Sequence, residues 1–252
     1  MNLGRARMIL IVAFFGLNLF LAYHLFWPGT GKLSREAVTP EQVRYVREQL
    51  EQVNIQLEAA VDRTVPRSSF LIVFPGEERV EAMNKPLIKA GDKVGESELI
   101  TAAEQYLRRN NLLPRQAYFD YVEYIDEETM ILNYYHIFQN KPLYSSYLRV
   151  TLEKERIVAL EKHWLNPQGW SSNQENKVIP ATEALLRLAE EMRSNDRPRK
   201  VTGIDFGYYS REFDAEQWEV PPVWRIVVDG SECYYVNAFT GNLEIDLQRN
   251  GI

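Results

Sequence analysis

Five acidic residues lie close together in the middle of the chain and could supply paired carboxylates: Asp120, Glu123, Asp126, Glu127 and Glu128. Two carboxyl groups support general acid–base chemistry when their surroundings separate their pKa values. The same residues also fit the solvent-exposed face of a β-hairpin. We prefer the hairpin interpretation, since the stretch contains no further catalytic signature.

The remaining residues with reactive side chains do not form a recognisable motif. His24, His136 and His163 are far apart, and Cys233 is the only cysteine of the 252 residues. A single cysteine excludes an intrachain disulfide and the usual zinc-ligand spacing. The chain also lacks the nucleophile-elbow, zinc-protease, P-loop and dinucleotide-binding motifs. We therefore expect no enzymatic activity, no metal and no cofactor, and we interpret His136 and His163 as ordinary strand residues.

Four tryptophans could form a platform on which sugar rings stack, or they could pack in the core: Trp164, Trp170, Trp218 and Trp224. Packing is our preferred interpretation, because large aromatic rings dominate buried surfaces. Trp170 lies in a polar segment and is the candidate for exposure.

Residues 8–27 contain 20 residues without a formal charge. As a helix they would be about 30 Å long, which matches the hydrocarbon core of a bilayer. The segment is longer than a typical signal-peptide core, and bulky residues stand where a cleavage site needs small ones. It is therefore predicted to be an uncleaved, single-pass membrane anchor. Arg5 and Arg7 precede it and favour a cytoplasmic N-terminus, so the C-terminal domain is expected outside the cytoplasmic membrane.

Asn18 lies near the middle of the predicted span, where lipid cannot satisfy its amide group. Phe15 and Ala22 lie on the same face of the predicted helix. We therefore predict that Phe15, Asn18 and Ala22 contact a transmembrane helix of a partner. The formal net charge of the whole chain is −6 at pH 7, which argues against nucleic acid as a partner.

The region after the anchor begins with a stalk and a capped helix. Thr39 is a predicted N-cap, Pro40 suits the first helical position, and Gln42 completes a capping box. Apolar residues continue at helical spacing to Ala60, so one long coiled-coil helix is one interpretation. We prefer a helix that ends near Val53 and Asn54 and is followed by a strand.

Two further helices are each followed by several strands. The first helix is predicted over Glu96–Asn110 and the second over Pro180–Arg193. An earlier strand, Ser68–Phe74, should end at Pro75-Gly76, and residues 77–93 should form loop and edge strand. The later strands are Tyr118–Ile125, Met130–Phe138, Leu143–Glu153, Arg156–Trp164, Val201–Tyr209, Val223–Asp229, Glu232–Asn237 and Leu243–Leu247.

This repeated order predicts an α+β protein in which a helix-plus-antiparallel-sheet unit is duplicated. The predicted division is a cytoplasmic tail (1–7), a transmembrane helix (8–27), a stalk (28–38), a first α+β unit with an N-terminal helix (39–165), a linker (166–179) and a second α+β unit (180–252).

Both ends of the chain resemble a known family. The opening residues are Asn2-Leu3-Gly4-Arg5-Ala6-Arg7, Ile9-Leu10-Ile11-Val12 and Leu17-Asn18-Leu19-Phe20-Leu21, and the closing residues are Trp224-Arg225-Ile226-Val227-Val228 and Tyr235-Val236-Asn237-Ala238-Phe239-Thr240-Gly241. They resemble the start and the final hairpin of YycI-type regulatory proteins of Gram-positive bacteria. The closing residues are also similar to PepSY modules, which are small α+β domains.

The resemblance implies a non-enzymatic accessory protein that pairs with a YycH-like protein. It further implies transmembrane contact with a sensor histidine kinase that governs cell-wall metabolism, with Asn18 at the matching leucine–asparagine step. Two alternatives remain open: a PepSY-like protease inhibitor, and a cell-envelope scaffold or wall-ligand binding protein.

Overall fold

The computed structural model describes Phe14 and residues 37–87, 95–172, 175–194, 197–211 and 215–244. The chain divides into residues 1–37 and residues 38–252, and the architecture given below is that of the second part. Among the described residues, no helix combines the length and the apolar character that crossing a bilayer requires. The predicted transmembrane helix, residues 8–27, lies outside the described residues apart from Phe14.

Local signals decide where the first helix, α1 (Pro40–Glu51), begins and ends. The Thr39 side chain accepts a hydrogen bond from the Gln42 amide, and the Gln42 side chain accepts one from the Thr39 amide, so the predicted capping box is present. Asn54 adopts a positive φ of 59°, which stops the helix and turns the chain into strand β1 (Ile55–Leu57). The interpretation with a long coiled-coil helix is therefore wrong.

Most of the described strands belong to one curled sheet, in which two groups of strands meet. In the first group, β3 (Leu71–Pro86) pairs with β7 (Arg156–Trp170), which is followed by β6 (Lys141–Glu153), β5 (Thr129–Phe138) and β4 (Ala117–Tyr124). In the second group, β1 and β11 (Pro222–Val228) flank β9 (Arg199–Tyr208), and β12 (Glu232–Asn237) and β13 (Leu243–Glu244) follow β11. The groups join where Leu143 of β6 pairs with Tyr208 of β9.

Each strand group buries one face under helices. Helix α2 (Glu96–Arg109) packs Leu99, Ala103 and Leu107 against the first group. Helices α1 and α3 (Ala181–Glu191) cover the second group, and a 3-10 turn, Met192–Ser194, follows α3. The order of one helix followed by antiparallel strands thus occurs twice, and the predicted α+β class is confirmed.

The short connections between strands use backbone conformations that suit tight hairpins. Gln139 and Asn140 join β5 to β6 with φ values of 46° and 63°. Asp229, Gly230 and Ser231 join β11 to β12, and the first two have φ values of 51° and 81°. Two consecutive positive φ angles match the right-handed twist of the flanking strands. Asp-Gly is typical of such turns, and here it lies in the hairpin between β11 and β12.

Two predicted strand ends are wrong. Pro75-Gly76 does not end β3, because a bulge between Phe74 and Glu77 carries the strand on to Pro86. The polar stretch predicted as a linker from residue 166 is strand as far as Trp170, paired with Leu71–Phe74 of β3. Backbone hydrogen bonds to a neighbouring strand hold these residues in a strand conformation, whatever the polarity of their side chains. Three short strands were also not predicted: β2 (Arg67–Ser68), β8 (Asn176–Lys177) and β10 (Trp218–Val220).

Candidate functional site around a buried arginine

Arg225 lies in the middle of β11 and is only 6% exposed. Side chains alternate across a strand, so its neighbours Trp224 and Ile226 enter the core beneath α1 and α3. Arg225 therefore points from the opposite, helix-free face of the sheet. A guanidinium is almost never buried without a charged partner, and the surrounding residues supply two.

Two aspartates from different strand groups bind the guanidinium. One terminal nitrogen donates to Asp120 Oδ2 at 2.6 Å, and the other donates to Asp205 Oδ2 at 2.9 Å. Asp205 lies directly across from Arg225 on β9. Asp120 is the extra residue of a bulge in β4, between the paired positions Phe119 and Tyr121. A β-bulge changes the direction in which a side chain points. At this bulge, the Asp120 side chain contacts the second strand group.

Aromatic rings complete the surroundings of Arg225. Its guanidinium carbon lies 4.4 Å from the centre of the Tyr144 ring and 5.6 Å from that of Tyr135. Tyr144 also packs against Tyr235, which stacks on Tyr209 with 3.9 Å between ring centres. These tyrosines pack with Val223 and Cys233. We call this group, together with Arg225, Asp120 and Asp205, the arginine cluster. Cys233 is buried, and its thiol donates to the Ser231 carbonyl at 3.6 Å.

Burial and ion pairing act in opposite directions on Arg225. Loss of water by itself disfavours the charge and lowers the pKa of the guanidinium, whereas the Tyr144 and Asp120 oxygens raise it, and the net direction is upward. Burial also raises the pKa of Tyr144 well above its usual value and that of Tyr135 to about 12. Arg225 therefore carries a permanent charge beside neutral tyrosines, and its ion pairs join neighbouring strands.

Two of the acidic residues that follow Asp120 make local contacts at the turn between β4 and β5. The Asp126 carboxylate accepts hydrogen bonds from the Glu128 and Thr129 amides, both at 2.8 Å, and the Glu128 amide is the main cause that lowers the pKa of Asp126. The Glu128 carboxylate lies 3.1 Å from the Lys154 ammonium. Asp126 thus caps the turn between β4 and β5, and the exposed-hairpin interpretation fits these contacts.

The described histidines serve separate local contacts. His136 stacks on Trp164 with 4.6 Å between ring centres, and its Nδ1 lies 3.3 Å from Ser146 Oγ. Burial lowers the pKa of His136 to about 4, so its imidazole is neutral at pH 7. His163 Nδ1 lies 3.3 Å from a Glu78 carboxylate oxygen. In the described ranges, no cluster of histidine, cysteine and acidic side chains could hold a metal ion.

The four tryptophans are packed rather than presented as a platform. Trp224 is 2% exposed and donates its indole N–H to the Ile179 carbonyl at 2.9 Å. Trp218 donates to Ser210 Oγ at 3.2 Å. Trp170 is half-buried between Phe138 and Tyr208, so the exposure considered for it is not found.

Sequence reasoning missed the arginine cluster. A signal was present, because Arg225 is a single charge in an otherwise apolar strand, and such a residue requires a carboxylate partner. The partner Asp120 could not be inferred, since it lies 105 residues earlier. The predicted contact residues Phe15, Asn18 and Ala22 lie outside the described residues.

A family model described as "YycI protein" matches residues 76–239, which is more than half of the chain. The chain belongs to the YycI family. The match contains Asp120, Asp205 and Arg225, so the arginine cluster lies within the family domain. No curated protein matches the chain.

Two solved structures resemble parts of the fold. The Bacillus megaterium YpeB C-terminal domain is 10% identical, with a TM-score of 0.41, over 83% of this chain and 98% of that chain. An uncharacterized protein from Eubacterium rectale is 12% identical, with a TM-score of 0.39, over 60% of this chain. The similarity spans only 56% of the length of that second structure.

Proposed function

We propose that this YycI family protein is a non-enzymatic, membrane-anchored regulator of a two-component sensor histidine kinase that controls cell-wall metabolism. In this proposal it acts together with a YycH-like protein, with which it forms a heterodimer. The observation that carries the proposal is the family match over residues 76–239, which indicates a regulatory accessory protein.

The anchor in this proposal is residues 8–27, with a cytoplasmic N-terminus and an extracytoplasmic C-terminal domain. Its support is the uncharged sequence of that segment and the two arginines before it. The kinase-facing residues are Phe15, Asn18 and Ala22. An amide in a span gains more from a protein neighbour than from lipid, because lipid offers it no hydrogen-bond partner.

The extracytoplasmic part is proposed to be a pair of duplicated, PepSY-like units. The support is the repeated order of one helix and antiparallel strands, with a separate hydrophobic core for each. The salt bridge between Arg225 and Asp120 links the two strand groups, and it would allow them to act on partners as one body.

The test is co-purification of the full chain with the sensor kinase in mild detergent. A variant with Phe15→Leu, Asn18→Leu and Ala22→Leu should lose most of the kinase. Phe20→Leu is the matched control, because Phe20 lies on the opposite side of the predicted helix. If an unrelated transmembrane helix in place of residues 8–27 preserves kinase binding and signalling, the proposed anchor contact is wrong.

A further inference from the structure

The described sheet has several free edges, and most of them are blocked against further pairing. Strands β1, β10 and β13 are only two or three residues long. The long edge of β3 carries charged residues and proline, and its register shifts at three places: Glu77, Glu78, Arg79, Glu81, Lys85 and Pro86 lie along it. Short length, charge, proline and bulges are the usual devices that prevent strands from adding to an edge.

Beyond its bulge at Asp120, strand β4 has neither proline nor a further register shift, and Glu123 is the one charged residue of Tyr121–Tyr124. Among the described strands it pairs with β5 alone. It has eight residues, no proline or glycine, and a regular register from Tyr121 to Tyr124. Edge strands of this kind are templates for strand addition.

Part of the β4 backbone faces away from β5. The Ile125 amide donates to the Thr129 carbonyl at 3.0 Å across the hairpin. Because antiparallel strands alternate between bonded and non-bonded positions, Glu123 and Tyr121 also turn their backbone groups towards β5. Val122 and Tyr124 therefore turn their amides and carbonyls towards the free edge.

The side chains around this edge are apolar and acidic. Tyr118, Tyr124 and Ile125 are each more than half exposed, which is unusual for large apolar residues in the described domain. Acidic residues lie in the strand or directly after it, at Glu123, Asp126 and Glu127, and the Tyr124 hydroxyl donates to Glu96. A ligand that covers the edge would bury aromatic surface and meet negative charge.

We propose that the β4 edge binds an extended segment of a partner protein, which adds as a further strand and carries lysine or arginine residues next to apolar ones. Charge complementarity selects this occupant. A second copy of the chain would bring two acidic edges together, and like charges in adjacent strands are destabilising. The inference rests on the proposed function, because it gives the regulator a contact surface outside the predicted anchor.

The test uses an octapeptide of alternating lysine and valine, with a glutamate–valine octapeptide as the probe of opposite charge. Binding is measured to the full chain in mild detergent. Tyr124→Pro removes the outward amide, whereas Tyr124→Ala keeps it, and both variants lose the hydroxyl contact with Glu96. Thermal unfolding of both variants checks that the domain is folded.

We expect the basic peptide to bind wild type and Tyr124→Ala with affinities within about threefold, and Tyr124→Pro about tenfold more weakly, the loss expected for a backbone hydrogen bond. Hydrogen exchange should show protection of the Val122 and Tyr124 amides. Equal binding by Tyr124→Pro and Tyr124→Ala, or equal binding of both peptides, would overturn the proposal. A wild-type dimer that Tyr124→Pro dissociates would identify a second copy as the occupant and would overturn it too.

These outcomes are separable from the test of the proposed function. If the kinase co-purifies with wild type but the basic peptide does not bind, the strand-addition proposal fails and the regulatory function stands. If the peptide binds as expected but the kinase does not co-purify, the edge is a binding site and the proposed function fails.

Discussion

The Arg225 guanidinium on β11 and the Asp120 carboxylate on β4 form a salt bridge of 2.6 Å between the two strand groups. Both side chains are nearly buried, and the two residues are 105 positions apart in the chain. Breaking such a pair leaves a charge without water or a partner, which costs more than losing the attraction alone. Substituting Arg225 should therefore lower the stability of the protein much more than substituting an arginine on the surface.

Arg225→Met should lower the free energy of unfolding by about 3–5 kcal/mol, because the buried Asp120 carboxylate would lose the guanidinium that it pairs with. Adding Asp120→Asn should restore part of the loss, so the double variant should be less destabilised than the sum of the single ones. Arg44→Met is the control, since Arg44 is largely exposed, and it should change stability by less than about 0.5 kcal/mol. Urea unfolding measures all four variants. An Arg225→Met value within about 1 kcal/mol of wild type would contradict the interpretation of the cluster.

Gly76→Ala should destabilise the protein by more than about 3 kcal/mol or displace β3 from β7. A Cβ atom at Gly76 would lie 1.6 Å from the Trp164 carbonyl oxygen, so the backbone at the bulge would have to move. Gly95→Ala is the matched control, because a Cβ there meets nothing within 4 Å. At this N-cap position the control should cost about 1 kcal/mol or less. Thermal unfolding measures the loss of stability in both variants. Equal losses would argue against the close approach of Gly76 to the Trp164 carbonyl.

His136 should make the protein less stable as the pH falls from 6.5 to 4. The unfolded chain binds a proton on this imidazole near pH 6.5, whereas the folded chain binds it only near its lowered pKa of about 4. The unfolded state therefore binds more protons in this window, and the folded state loses about 1–3 kcal/mol as the pH falls through it. Below pH 4 this residue adds no further loss.

The measurement for His136 is urea unfolding at several pH values, for wild type and for His136→Gln. The glutamine cannot titrate, so its curve should lack the part of the slope that His136 contributes between pH 4 and 6.5. Identical slopes for the two proteins would show that the imidazole is not the titrating group.

Trp170→Ala should lower the free energy of unfolding by about 2–3 kcal/mol, because the indole packs between Phe138 and Tyr208. Trp170→Phe should retain most of the packing and cost less. If the alternative of a wall-ligand binding protein is tested by glycan pull-down with Trp170→Ala alone, loss of binding would not distinguish a lost contact from a loss of folding. The phenylalanine variant, compared by thermal unfolding, separates the two effects. An alanine variant as stable as wild type would place the ring outside the core.

Sequence patterns predicted the features that depend on a few neighbouring residues. The capping box at Thr39, the helix stop at Asn54 and the Asp229-Gly230 hairpin are all present. The buried residues of α2, Leu99, Ala103 and Leu107, also recur at helical spacing in the sequence. These signals act within one or two turns, so no knowledge of the distant chain is needed.

Strand lengths and the candidate site depend on partners that are distant in sequence. Pro75-Gly76 and the polar residues after Leu165 have the composition of loops, yet β3 and β7 pair with each other through both stretches. The partner of Arg225 likewise depends on the bulge at Asp120 and on the curl that brings β4 to β11.

The sequence by itself determined the α+β class, most of the helices and hairpins, and the resemblance to the family that the chain belongs to. Only the tertiary structure decided which charge is buried, which glycine is required and which edge strand is open. The physical reason is the distance along the chain over which each effect acts. Caps, turns and periodicity depend on neighbouring residues, whereas burial and ion pairing depend on distant residues that the folded sheet brings together.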